Sequence, residues 1–329
     1  MLEIKNLKVY YKSDGNTIKA VDDVSLKIKD GETIGLVGES GCGKSTLGQA
    51  LMKILPLNAQ LCGEIIINGK NIVNFNEKQM RELRGRDITM IFQDPMTSLN
   101  PIMKVKDLFI EIVQSHFPQI STEKAMEMGA AVLKEVGIEP SRMNQYTFQF
   151  SGGMRQRVMI ALGLVLKPSF VIADEPTTSL DVIVQAQIIE LIKRLRNEYQ
   201  MSMLLITHDL GVVAQLADKI GVMYAGKLVE ISSKENIYYK PKHPYTKALL
   251  KSIPNTNIND KELKYIPGNT PDLANPPSGC KFAPRCEFAM PICQEKEPSN
   301  FFVEGSTVNC WLFEKHNDLE KNVGDSSVR

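Results

Sequence analysis

The densest concentration of chemistry lies at residues 38–46, GESGCGKST. Gly38, Gly41 and Gly43 let the backbone curl until its N–H groups point inward and form a nest for oxyanions. Lys44 adds a positive charge that can reach the outer phosphates of a nucleoside triphosphate. Ser45 offers a hydroxyl to Mg²⁺. With Glu39, Ser40, Cys42 and Thr46 these residues make a phosphate-cradling loop. The helix expected from KSTLGQALMKIL aims its N-terminal dipole at the same anion. The apolar segment at 32–37, ETIGLV, reads as a buried strand just before the loop. Strand, loop and helix are the context the motif requires.

Four further groups of residues suggest related chemistry. In PSFVIADEPTTSLD (168–181) a short apolar run ends in Asp174 and Glu175, and Asp181 closes the segment. Carboxylates at the end of a buried parallel strand stand where α/β folds bind ligands. Asp174 is placed to hold Mg²⁺, and Glu175 to polarise an attacking water. A second apolar run, MSMLLITHD, ends at His208. A lone histidine usually serves as a structural hydrogen-bonder, but its register with Asp174 and Glu175 favours a role at the γ-phosphate. In FSGGMRQR, Ser151 precedes Gly152, Gly153 and Met154 at the start of a helix. By spacing alone this is either a second anion-binding helix N-terminus or a plain N-cap. Tyr11, near the end of the first strand run, reads by spacing as a half-buried edge tyrosine, although an aromatic there could stack on adenine.

The elements that must position these groups are legible in outline. Residues 1–35 alternate apolar and polar around Leu2 and Ile4, around Leu7, Val9 and Tyr11, and around Val24, Leu26 and Ile28. They predict antiparallel strands with a turn at 13–16. GEIIINGKNI (63–72) predicts a hairpin turning at Asn68 and Gly69. A β-rich run over 88–92 ends at Gln93. From about 105 to 136 the pattern becomes helical, with Ser121 or Thr122 as a cap, and a long amphipathic helix is expected over 184–199. A last hairpin turns at Ala225 and Gly226. The fold class is α/β with a helical insertion.

Taken in order, the phosphate loop, Gln93, SGGM, IADE, SLD and His208 closely resemble the ATP-binding cassette (ABC) ATPases over residues 1–235. The resemblance implies a P-loop NTPase with a RecA-like core, an antiparallel β-subdomain and a helical subdomain at about 95–165. It also implies roles. Tyr11 stacks on adenine, and residues 38–46 bind the phosphates of ATP. Gln93 senses Mg²⁺ or water, and residues 151–154 are the signature motif. Asp174 holds Mg²⁺ with Ser45, and Glu175 is the catalytic base. Asp181 sits at the dimer interface, and His208 is the switch histidine. Two departures are visible. The signature reads FSGGM rather than LSGGQ, and the preceding YTFQF lacks the usual proline and histidine. The wording of residues 84–101, of MYAGKLVE and of KHPYTKALL resembles the ATPases of peptide importers, specifically D-type subunits that pair with an F-type ATPase.

Residues 236–329 resemble the C-terminal extension of those importers. Eight of the chain's 17 prolines fall between 254 and 298, so sparse regular structure is expected and a staple is needed. Cys280, Cys286, Cys293 and Cys310 offer one. Their spacing lacks the close cysteine pairs of zinc sites. Four thiolates can hold a 4Fe-4S cluster, and Phe282, Phe288, Trp311 and Phe313 could shield it. Zinc and free structural cysteines remain the alternatives by spacing, while the resemblance implies the cluster.

A net charge of +1 points to no nucleic-acid partner. The first ten residues carry no signal-peptide pattern, and no apolar run is long enough to span a bilayer. The resemblance therefore implies a peripheral protein at the cytoplasmic face of the membrane. Its expected partners are a second ABC ATPase, two transmembrane permeases and an extracytoplasmic substrate-binding protein. Its expected cargo is di- or oligopeptides, with nickel, glutathione or cationic peptides as related cargoes. Two other classes compete: a soluble ABC protein of translation or DNA repair, and a regulatory subunit that binds ATP without hydrolysing it.

Overall fold

A computed structural model describes residues 1–13, 15–178, 180–252 and 265–316. The chain opens with β1 (Leu2–Ser13), β2 (Asn16–Ile28) and β3 (Thr33–Val37). Helix α1 (Lys44–Met52), β4 (Ala59–Ile67) and β5 (Lys70–Asn71) follow. Strands β2, β1, β4 and β5 lie side by side in that order as an antiparallel sheet. The alternation in β1 changes parity between Ile4 and Leu7, and the structure explains why. Asn6 adopts a left-handed φ of 47°, and the pairing register slips there. This bulge lets Leu2, Ile4, Leu7 and Val9 all face the core within one continuous strand.

The larger sheet is built from β3 with β6 (Ile88–Ile91), β7 (Phe170–Asp174), β8 (Ser202–Ile206), β9 (Lys219–Tyr224) and β10 (Lys227–Ser233). Strands β9, β3, β8, β7 and β6 run parallel in that spatial order. Strand β10 folds back antiparallel on β9. Every residue of β3, β6, β7 and β8 is buried, which is why these strands read as unbroken apolar runs. Their side chains still alternate. Val171, Ala173 and Leu205 join a core with α2 (Val105–His116), α3 (Thr122–Glu135), α4 (Gly152–Leu164) and α5 (Val182–Tyr199). Ile172, Leu204 and Ile206 join a second core with α1 and the antiparallel sheet. The parallel sheet is thus covered on both faces, as its composition demands.

Regular structure is sparse in the described part of the proline-rich stretch, as expected, with only a turn at Ala283–Arg285 and a short helix at Pro291–Glu295, and the longer elements flank it. After helix α6 (Pro244–Lys251), strands β11 (Asn300–Val303) and β12 (Ser306–Asn309) form a hairpin, and β12 pairs with β10 to extend the large sheet. The turn is Glu304–Gly305, with φ of 49° and 80°. The hairpins at Asn68 and Gly69 and at Ala225 and Gly226 turn on the same left-handed pair. Lys281 ties this region to β2 through a buried ion pair with Asp22, at 2.9 Å. Burial pushes the Asp22 carboxyl up, but hydrogen bonds from Tyr10 and Lys281 outweigh it and hold the pKa at about 2. Removing one partner of such a buried pair costs about 3–5 kcal/mol.

Candidate functional site

Four parallel neighbours end level with one another. The pairings Leu36 with Ile206, Asp174 with Ile206, and Ile91 with Ala173 bring Val37, Asp174, Ile206 and Ile91 to one edge of the sheet. The residues that follow these ends are the phosphate loop, Glu175, His208 and Gln93. They meet because the strands are in register, although up to 170 residues separate them in sequence (38 to 208).

The loop leaves β3 through Gly38 and enters α1 through Gly43. A Cβ on Gly38 would stand 2.2 Å from the Met223 carbonyl oxygen, and one on Gly43 would stand 2.0 Å from that of Ala20. Both positions also have positive φ, so no other residue fits. The buried Lys44 ammonium donates to the carbonyls of Gly38 at 2.8 Å and Glu39 at 3.0 Å. Ser45 Oγ donates to Asp174 Oδ1 at 3.1 Å. Burial and then the neighbouring Glu175 raise the Asp174 pKa, against the opposing pull of Ser45 and Lys44. A divalent cation at Ser45 and Asp174 would answer that buried carboxylate, so the donor set fits Mg²⁺. Cys42 is buried behind the loop, and its thiol pKa is raised by burial.

Glu175 has a left-handed φ of 47°. Its N–H donates to the Ile206 carbonyl at 2.8 Å, which fastens the backbone in this uncommon conformation. Its carboxylate faces three side chains. Gln93 Nε2 donates to Oε2 at 3.0 Å, Thr178 Oγ1 donates to the same oxygen at 2.8 Å, and His208 Nδ1 lies 3.2 Å from Oε1. These groups and the loop enclose a cleft of about 430 Å³, whose lining includes Ser40, Gly41, Gly43, Lys44, Ser45, Thr46, Gln93, Glu175 and His208. Tyr11 stands beside this cleft, its hydroxyl 3.4 Å from Thr46 Oγ1.

Residues 151–154 and Asp181 lie elsewhere. Ser151 Oγ caps α4 by accepting the Met154 N–H, and Asp181 caps α5 by accepting that of Val184 at 2.9 Å. The two helix starts are pressed together, since a Cβ on Gly153 would lie 2.5 Å from Val184 Cγ1. Gly152 differs: nothing lies within 4 Å of where its Cβ would be. Met154 accepts a hydrogen bond from Arg142 Nη1 at 3.3 Å, and that guanidinium lies 4.9 Å from the Phe150 ring centroid. None of residues 151–154 lines the phosphate cleft.

Cys280, Cys286, Cys293 and Cys310 converge on one small cavity, with Phe282, Phe288 and Trp311 in its wall. Burial, opposed by backbone hydrogen bonds and reinforced by the neighbouring thiols, raises the pKa of Cys280 to about 11 and of Cys310 to about 12. Among the described residues, no group of three or more His, Cys, Asp or Glu side chains is arranged to hold a metal ion.

Two contacts to the phosphate loop come from the C-terminal region, one from Arg285, which no motif marks, and one from Tyr245 within KHPYTKALL, whose contact the wording does not reveal. Arg285, from the cysteine segment, pairs with Glu39, and Tyr245, from α6, accepts the Glu39 N–H at 3.0 Å.

Residues 21–178 match a family model described as ABC transporter, and residues 229–293 match one described as the C-terminal region of oligopeptide/dipeptide transporters. The dipeptide transport ATP-binding protein DppD of Bacillus subtilis is 46% identical, over 99% of this chain and 98% of its own length. The oligopeptide transport ATP-binding protein OppD of the same organism is 47% identical, over 100% of this chain and 93% of its own. Among solved structures, an ATP-binding cassette captured as a dimer in a post-hydrolysis state, with ADP and Pi bound, aligns with a TM-score of 0.64. It is 27% identical and covers 71% of this chain and 99% of its own.

Proposed function

The chain belongs to the ABC transporter ATP-binding proteins, and from that premise we propose that it is the ATP-hydrolysing subunit of an importer of dipeptides and oligopeptides. The observation that carries the hydrolytic reading is Glu175, held between Gln93, Thr178 and His208 at the mouth of the phosphate loop. A soluble, non-transport ABC protein would have no use for the transporter-type segment at 229–293.

The residues take their roles from this geometry. The loop amides and Lys44 bind the phosphates, and Tyr11 stacks on the adenine. Ser45, Asp174 and Gln93 would hold the Mg²⁺ that neutralises charge on the β- and γ-phosphates. Glu175 orients and deprotonates the attacking water, and His208 faces the γ-phosphate from the neighbouring strand end. Ser151, Gly152, Gly153 and Met154 do not line this cleft, and on this reading they cap the cleft of a second ATPase, with Asp181 at the same interface. An F-type subunit is the natural partner. The division into a cassette (1–235) and an extension (236–329), with a helical subdomain at about 95–165, belongs to the same reading. No helix among the described residues is long and apolar enough to cross a membrane. Two permeases therefore supply the channel, an extracytoplasmic binding protein delivers the peptide, and this chain docks at the cytoplasmic face. The test is ATP turnover by the assembled importer. Peptide-loaded binding protein should raise it several-fold, and a turnover indifferent to peptide would contradict the reading.

The four cysteines are proposed to hold a 4Fe-4S cluster. Convergence of four cysteines on one cavity, Cys293 and Cys310 buried and Cys280 and Cys286 half-buried, with Phe282 and Trp311 in its wall, supports it. Protein purified without oxygen should carry about four iron atoms per chain and absorb broadly in the visible. Stoichiometric zinc without iron would exclude the cluster.

A further inference from the structure

Glu39 is an anion inside an anion-binding loop. Its carboxylate belongs to the second residue of the nest, and an unpaired negative charge there opposes phosphate binding. The structure pairs it from a distant part of the chain. Arg285 Nη1 donates to Oε2 at 2.8 Å and Nη2 donates to Oε1 at 3.0 Å, a bidentate fork. The fork is itself fixed, because Arg285 Nε donates to the Pro267 carbonyl at 2.9 Å and Nη2 to that of Ile266 at 3.2 Å. The Arg285 side chain is only 6% exposed. Glu39 is therefore held at three points: its carboxylate by Arg285, its N–H by Tyr245, and its carbonyl by Lys44.

Arg285 owes its position to a tight turn in the cysteine segment. The Ala283 N–H donates to the Cys280 carbonyl at 3.0 Å, that of Arg285 to Phe282 at 3.0 Å, and that of Cys286 to Ala283 at 3.2 Å. Phe282 packs edge-on against Tyr224 and Tyr245. One side of the turn gives Cys280 and Cys286 to the thiol cavity, and the other gives Arg285 to the phosphate loop.

We propose that Arg285 is a positioning residue for ATP: it neutralises the Glu39 carboxylate and holds the loop in its phosphate-binding shape, so that the C-terminal segment sets the affinity of the nucleotide site. The proposal rests on the ATPase reading above. Its test is a charge cycle on the full-length chain, with Mg-ATP affinity measured by calorimetry and kcat and KM measured in the assembled importer. R285Q leaves Glu39 unpaired and should weaken ATP binding about tenfold, raising KM in proportion with kcat within about twofold. E39Q leaves Arg285 facing the phosphates unopposed and should tighten ATP about threefold. The double variant R285Q/E39Q should recover most of the loss seen in R285Q. Should R285Q not fold, R285K serves in the same cycle, because lysine keeps the charge but cannot form the fork. R285K alone should then weaken ATP about threefold, and R285K/E39Q should restore it. A single variant that binds like wild type, or a double variant as weak as R285Q or R285K, would overturn the proposal. Failure of the wild-type chain to bind ATP at all would instead sink the ATPase reading beneath it.

Discussion

At the scale of residues, the groups proposed to do the chemistry were legible because each sits where a local pattern changes. Gly38 interrupts an apolar strand, and Asp174, Glu175 and His208 each end one. Sequence could place them at strand ends, and the parallel register then brought those ends together. Arg285 was not legible. It is a lone arginine 246 residues from its partner, and nothing in its neighbours marks it. His243 was equally silent. It is fully buried, its backbone N–H donates to Glu230 Oε2 at 2.9 Å, and its Nδ1 accepts the Tyr245 N–H at 3.0 Å. Burial drives its pKa down to about 3. The folded chain thus keeps this imidazole neutral where the unfolded chain protonates it, below about pH 6.5. Its stabilising contribution is complete above that pH and is lost as the pH falls towards 3. One proton taken up on unfolding gives a slope of about 1.4 kcal/mol per pH unit. Urea denaturation at pH 7 and pH 5 should show wild type losing about 2 kcal/mol more than H243N over that interval. Equal losses would show that this histidine does not carry the dependence.

At the scale of elements, hydrophobic periodicity located the buried strands and the long helices, and it missed the pieces that depend on exceptions. The bulge at Asn6 merged two expected strand runs into β1. The β11–β12 hairpin lies just beyond the proline-rich stretch and was missed, although NFFVEGSTVN carries both alternation and a Glu304–Gly305 turn. The start of α4 separates structural from functional glycine. A side chain at Gly153 collides with Val184, whereas one at Gly152 projects into open space. G153V should therefore lower the melting temperature of the isolated chain by several degrees, in line with an overpacking penalty of about 1–3 kcal/mol. G152V should leave melting and ATP binding by the isolated chain near wild type, while cutting turnover of the assembled importer at least tenfold. Equal melting temperatures for the two variants would refute the packing argument. Full turnover by G152V would remove the reason to place residues 151–154 against a partner.

At the scale of the whole molecule, residues 151–154 of this chain stand apart from its own phosphate cleft, whose lining includes none of them. The phosphate loop, Gln93, Glu175 and His208 line the cleft, while Ser151 and Asp181 cap the starts of α4 and α5. The motifs alone do not reveal this, because an incomplete site has the same motifs as a complete one, and only the resemblance to ABC ATPases implied a second ATPase. We propose that a second ATPase closes the cleft and that a membrane partner receives the closure, with Glu175 driving hydrolysis in the closed assembly without being needed for ATP to bind. The most direct measurement compares wild type with E175Q in the assembled importer, following ATP binding and phosphate release together. E175Q should bind Mg-ATP within about threefold of wild type and release phosphate at least a hundredfold more slowly, as expected on removing a general base. Phosphate release by E175Q at the wild-type rate would contradict that role.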